Sequence, residues 1–183
     1  MIEVEVKARA PEDMAERIAA LGATLLVVEN HHDLYFNSPQ RDFIVSDEAL
    51  RIRIKEEGAR LTYKGPKLDQ TTKSRLERTV KIDDPLQMEQ ILLALGFVLS
   101  AQVRKQRCKY SYEGIVLALD DVEGLGRFVE VEAEGVGDYE AQRQKVLSIL
   151  SRLGLHESIR SSYLELLEEK AMKEKNEEKR QGL

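Results

Sequence analysis

Apolar and polar residues alternate along much of this chain, and the period of the alternation switches at regular intervals. Over residues 2–9 the period is two: Val4 and Val6 share one face, Glu3, Glu5 and Lys7 the other. From Pro11 the period lengthens, with Met14, Ile18 and Leu21 at helical spacing, Pro11 at the first helical position and Gly22 as the terminating residue. Strand patterns recur over 24–36, 50–55, 61–64 and 74–82, broken by Asn37-Ser38-Pro39, Glu57-Gly58 and Gly65-Pro66. Asp84-Pro85 opens a second helix whose apolar residues are Leu86, Ile91, Leu92 and Leu95, and Gly96 stops it. Phe97 to Ser111 then reads as one long strand or a bent pair. Two more strands, 115–121 and 127–134, are joined through Gly124 and Gly126, which fit a hairpin turn. Asp138 caps a third helix to about Leu153, and a last helix runs from near Ser158 into the tail. The order β-α-β-β-β-β followed by α-β-β-β-α suggests two related halves, with no literal repeat.

Composition narrows the class. The chain has 183 residues, 42% hydrophobic and 33% charged, enough for one domain with a real core. A net charge of −5 gives no global sign of a nucleic-acid or anionic-membrane binder. Cys108 is the only cysteine, which excludes an intrachain disulfide or a thiolate metal cluster, and its alternation with Arg107 puts it on the apolar side. No apolar run approaches a membrane span, and the N-terminus carries charge at once with no apolar signal segment, so the expectation is a cytoplasmic protein. The Glu- and Lys-rich tail reads as a solvated helix.

The charged strand faces change the picture. Arg51 and Arg53 share a face, as do Arg75 and Glu77, Lys105 and Arg107, and Glu130, Glu132 and Glu134. For any single strand, a wet sheet face explains this. Taken together, the acids cluster in the first and last strands and the bases in those between, with few neutral polar residues to dilute them. The alternative is a sheet curled into a barrel with charges inside and helices outside. Such a lumen is costly unless it is paired or occupied. Arginine matches phosphate oxygens with its planar fork, and carboxylates suit hard cations such as Mg²⁺ or Mn²⁺. Both signs in one lumen fit a metal–polyphosphate complex.

The residues also carry a resemblance. Glu3-x-Glu5-x-Lys7 resembles the ExExK signature of the CYTH superfamily, the triphosphate tunnel metalloenzymes. The other blocks follow in order: His32-Asp33-x-Tyr35-Phe36, Leu50-Arg51-Ile52-Arg53, Thr62-Tyr63-Lys64-Gly65-Pro66, Ser74-Arg75-x-Glu77, Lys105-x-Arg107-x-x-Tyr110, and Leu119-Asp120-Asp121-Val122-Glu123-Gly124-Leu125-Gly126-x-Phe128-x-Glu130-x-Glu132. The His32-Asp33-x-Tyr35-Phe36 block and the Asp120-Asp121-Val122-Glu123-Gly124-Leu125-Gly126 stretch, with the late Ser162-Tyr163-Leu164-Glu165-Leu166-Leu167, look like the class IV adenylyl cyclase branch; thiamine triphosphatases are related. Thr79 departs from a pattern in which several members place a second acid after Glu77, which thins the acidic side of the lumen.

The resemblance implies an α+β fold: an eight-stranded antiparallel barrel forming a triphosphate tunnel, with helices packed outside, over residues 1–170, and a charged helical tail over 171–183. It implies metal ligation by Glu3, Glu5, Glu77, Asp120, Glu130 and Glu132, and phosphate binding by Lys7, Arg51, Arg53, Lys64, Arg75, Lys105 and Arg107. Glu5, Asp120, Lys105 and Arg107 are the expected catalytic set. The activity it implies is conversion of ATP to cyclic AMP and pyrophosphate with Mg²⁺ or Mn²⁺. The alternative is hydrolysis of thiamine triphosphate, inorganic triphosphate or a nucleoside triphosphate, and a non-catalytic polyphosphate-binding module is the third reading. No nucleic-acid or membrane partner is expected. A homodimer is expected from the resemblance and from the apolar set Tyr163, Leu164, Leu166 and Leu167, which would equally close one end of the barrel. His31 and His32 read as a surface or strand-end pair. Removing Arg53 is expected to relieve repulsion from Arg51 and Lys55.

Overall fold

The structure is a computed structural model and describes residues 4–67, 75–133 and 138–181. Eight strands alternate with four helices: β1 (Glu5–Arg9), α1 (Met14–Ala20), β2 (Thr24–Asn37), β3 (Ala49–Lys55), β4 (Gly58–Lys67), β5 (Arg75–Ile82), α2 (Pro85–Ala94), β6 (Val98–Tyr112), β7 (Ile115–Val122), β8 (Gly126–Ala133), α3 (Tyr139–Arg152) and α4 (Tyr163–Gln181). All strands join one antiparallel sheet in the order β1-β8-β7-β6-β2-β3-β4-β5. The sheet curls into a half-barrel, so that β1 and β5, at its two ends, line the same cavity. The expected α+β barrel architecture is thus present, and the span read as one long strand or a bent pair is a single strand, β6 (Val98–Tyr112), that pairs with β2 on one side and β7 on the other.

Curling sorts the two faces by chemistry. The outer apolar face of β1, β7 and β8 (Val4, Val6, Ile115, Leu117, Val129 and Val131) packs against Met14 and Ile18 of α1 and Val146, Ile149 and Leu150 of α3. On the other flank, Leu34, Phe36, Leu50 and Ile52 pack with Phe43 and with Leu92 of α2. Only Leu92 of the expected α2 face is buried; Leu86, Ile91 and Leu95 are exposed, because this short helix meets the sheet through a narrow strip. The inner face carries the charges in register: Lys7 opposite Glu130, Arg51 opposite Tyr35, Arg53 opposite Asp33, and Lys64 opposite Glu77.

Helix ends follow local chemistry, with two shifts from expectation. Asp84 caps α2, its carboxylate accepting from the Leu86 and Gln87 amides, both at 3.0 Å. α1 starts at Met14, and Asp13 before it accepts from Arg17 at 3.0 Å instead of capping. α4 starts at Tyr163, not near Ser158. Residues before it lie across the barrel end, where the Ile159 amide donates to the Lys7 carbonyl at 2.6 Å. A reciprocal pair then opens the helix: Glu165 N donates to Ser162 Oγ at 3.1 Å and Ser162 N to Glu165 Oε2 at 2.5 Å. α4 runs through the expected boundary at residue 170 without a break. Gly124 and Gly126 lie at the β7–β8 hairpin with φ of 76° and 86°, a left-handed backbone that glycine adopts without strain.

Candidate active site

The inner face encloses a cavity of about 230 Å³. Its walls include Glu5 and Lys7 from β1, Arg51 and Arg53 from β3, Lys64 from β4, Arg75 and Glu77 from β5, Lys105 and Arg107 from β6, and Glu130 and Glu132 from β8. Those eleven expected site residues therefore meet around one space. The period-two alternation is the cause: residues two apart on each strand point inward together. Glu3, the twelfth wall candidate, and Glu134 lie outside the described residues. The loop between β2 and β3 and the start of α4 complete one mouth, through Phe43, Ile44, Asp47, Glu48, Leu164 and Glu165.

Asp120 departs from the expected role. It is 0% exposed and is not among the cavity-lining residues. Its carboxylate accepts from Arg107 Nε and Nη2 at 2.6 and 2.5 Å, from Lys105 Nζ at 2.8 Å and from Tyr163 Oη at 2.7 Å. Burial raises its pKa, but the Arg107 hydrogen bonds and the Lys105 charge outweigh burial and hold it below the usual carboxylate range. With four donors already on it, Asp120 orients the bases behind the cavity wall and is a poor candidate for metal ligation.

The other pairings are equally directional. Asp33 accepts both Arg53 nitrogens, at 2.7 and 2.6 Å, and lies 3.6 Å from Arg51 Nη1. Asp33 therefore lies between the cations and offsets the expected Arg51–Arg53 repulsion, so that removing Arg53 would also strip Asp33 of its nearer partner. Arg107 also reaches Glu130, Lys64 reaches Glu77, and Arg75 lies 3.5 Å from Asp47. Lys7 is 1% exposed; its ammonium donates to the Ser161 carbonyl. Arg51 Nε is buried without a hydrogen-bond partner, a donor that an entering anion would satisfy. Lys105 is held down to about 8, by burial first and then by the Arg107 charge. Lys64 is lowered by burial and by Arg51.

His31 corrects another expectation. It is 3% exposed, on the inner face, with Nε2 2.8 Å from Glu29 and Nδ1 buried without a partner. Burial, then the charge of Arg53, lowers its pKa to about 3, so it is neutral. His32 is on the outer side, 2.9 Å from Gln102. Asp33, Tyr163 and His31 are the functional-site residues that motif matching left without a role. The alternation Glu29, His31, Asp33, Tyr35 along β2 is the signal that places two of these three, His31 and Asp33, with the inner face.

The carboxylates test whether a hard cation fits. Glu5 and Glu132 are directly opposed across β1 and β8 and both line the cavity. Like charges in that position disfavour the ladder unless a counter-charge is shared, and oxygen donors are the ligands Mg²⁺ and Mn²⁺ take. Among the described residues no three His, Cys, Asp or Glu side chains form a ready ligand group. The Glu5–Glu132 pair fits a cation that draws its remaining ligands from substrate and water. Among the described residues no helix is long and apolar enough to cross a membrane.

Comparison with known proteins agrees with this geometry. The chain is 40% identical over 172 residues to a Methanocaldococcus jannaschii protein with a provisional adenylate cyclase name, covering 91% of this chain and 98% of that one. A solved Pyrococcus horikoshii protein superposes with a TM-score of 0.84 at 42% identity, covering 92% of this chain and 99% of the other. A Hippeastrum protein provisionally described as an adenylyl cyclase, with a dominant triphosphatase activity, shares the fold alone: TM-score 0.65 at 24% identity over 88% of this chain and 90% of that one. The CYTH domain family matches residues 1–163, and with the curled, doubly charged half-barrel this places the chain in the CYTH family.

Proposed function

We propose that this chain is a metal-dependent adenylyl cyclase that converts ATP to cyclic AMP and pyrophosphate. The observation that carries the reading is the meeting of all seven expected bases and four of the expected acids around one cavity, with a buried Arg51 donor still without a partner. The name given to the Methanocaldococcus relative supports it.

On this reading Arg51, Arg53, Lys64 and Arg75 hold the β- and γ-phosphates by charge-assisted hydrogen bonds. Lys7, Lys105 and Arg107 extend the cationic wall toward the α-phosphate. Glu5 and Glu132 would hold the cation, and Glu77 and Glu130, now paired with Lys64 and Arg107, would join them. Glu3 belongs to the same expected ligand set. A bound cation would supply charge neutralisation and lower the pKa of the attacking hydroxyl. The ribose 3′-oxygen attacks the α-phosphorus in line, the bond from that phosphorus to the bridging oxygen breaks, and the hydroxyl proton leaves to solvent. Arg and Lys side chains stabilise the departing pyrophosphate. Asp120 keeps Arg107 and Lys105 aimed without touching substrate.

Triphosphate hydrolysis is the second reading, favoured by the activity described for the Hippeastrum protein. There, water attacks the terminal phosphorus instead. A panel of ATP, thiamine triphosphate and inorganic triphosphate, each with Mg²⁺ or Mn²⁺ and read by mass, decides. Cyclic AMP with pyrophosphate is the expected outcome. A diphosphate with orthophosphate selects hydrolysis, and no turnover of any of the three rejects both.

A further inference from the structure

Tyr163 lies where the chain re-enters the barrel at the start of α4, and it is 7% exposed. Its hydroxyl donates to Asp120 at 2.7 Å. Its ring centroid is 4.2 Å from Lys7 Nζ and 4.8 Å from Lys105 Nζ. Phe128 packs edge-on at 5.1 Å and fixes the ring plane. Three cationic groups of the cavity wall thus depend on one side chain: two through the ring face, and Arg107 through the Asp120 carboxylate.

The physics gives this arrangement a purpose. A lysine ammonium inside a barrel is flexible and loses hydration. An aromatic face attracts it without neutralising it. Lys7 donates to the Ser161 carbonyl beside the ring. The hydroxyl serves the other half, holding Asp120 so that both its oxygens stay on Arg107.

We propose that Tyr163 is a positioning residue of the polyphosphate site, setting Lys7 and Lys105 with its ring and the Asp120–Arg107 pair with its hydroxyl. This rests on the reading of the cavity as a polyphosphate site. It makes the C-terminal segment an integral part of that site, not a cover added to a finished barrel.

The test is calorimetric binding of inorganic tripolyphosphate in the presence of a chelator, so that the cations of the wall alone are read. Tyr163→Phe keeps the ring and is expected to weaken binding no more than about threefold. Tyr163→Leu and Tyr163→Met remove the ring and are expected to weaken it about tenfold, as both cation–π contacts are lost. Melting curves confirm that each variant is folded at the assay temperature, and methionine, which fills the space against Phe128, serves if leucine does not fold. A purely structural role is separated by repeating the ring removal in a Lys7→Met background. There the loss shrinks to a few-fold if the ring acts through Lys7. Equal losses with phenylalanine and leucine, or an undiminished loss in the Lys7→Met background, overturn the proposal. No binding by the unsubstituted protein rejects the polyphosphate reading itself, and this inference with it.

Discussion

Asp33 and Arg53 face each other across β2 and β3, joined by two parallel hydrogen bonds of 2.7 and 2.6 Å. Burial pushes the Asp33 carboxyl up, but Arg51 and Arg53 outweigh it and hold it well below the usual range. The pair is thus a fixed part of the ligand-free protein, and it presents Arg53 to the cavity at a set angle.

Arg53→Ala leaves Asp33 buried with only the more distant Arg51 as counter-charge. Breaking a buried pair by removing one partner costs about 3–5 kcal/mol, and Arg51 offsets part of that, so a loss of about 2–4 kcal/mol is expected in urea unfolding of the ligand-free protein. Tripolyphosphate affinity should fall at least about tenfold. A variant as stable as the parent would mean that Asp33 rearranges freely.

His31 gives the protein an acid-sensitive step. Its folded-state pKa is depressed to about 3, by burial and then by Arg53, against an ordinary value of 6.5. The unfolded chain therefore binds the extra proton between those values. The neutral histidine's contribution is fully present above about pH 6.5 and is lost as pH falls toward 3. One proton sets a ceiling of about 1.4 kcal/mol per pH unit on the slope. Unfolding free energies measured from pH 7 to pH 4 should show a flatter dependence in His31→Gln than in the parent; identical slopes would place the proton uptake elsewhere.

Glu5→Gln and Glu132→Gln each remove one of two opposed negative oxygens while keeping side-chain shape. Metal-dependent turnover should drop about a hundredfold or more, with the protein still folded in the absence of metal, as a melting curve checks. Near-parental turnover at limiting Mn²⁺ would remove these residues from the ligand set.

Asp84→Ala removes the carboxylate that accepts two α2 amides. The cost expected in chemical unfolding is about 1 kcal/mol, with no change in tripolyphosphate binding, because α2 packs on the outer side of the sheet and none of its residues lines the cavity.

Much of this protein is determined by its sequence alone. Strict period-two alternation in β1, β3, β6 and β8 decides which side chains share a face, because a strand offers only two. Proline, glycine and aspartate mark nearly every element end. From these come eight strands, four helices and the identity of eleven cavity-lining charges. The curl of the sheet decides the rest. Which acid pairs with which base depends on cross-strand register and on the distance between sheet ends, neither of which is local. So Asp120, grouped by motif with the metal-binding acids, is drawn behind the wall by Arg107, Lys105 and Tyr163. His31, at a position that reads as a surface strand, is carried inside by its place two residues before Asp33 on β2. The apolar set at the start of α4 reads equally as a dimer face or a plug. Tertiary packing places Tyr163 against Phe128 and Val122 within the barrel, because an aromatic ring gains more by covering two buried ammonium groups than by facing water.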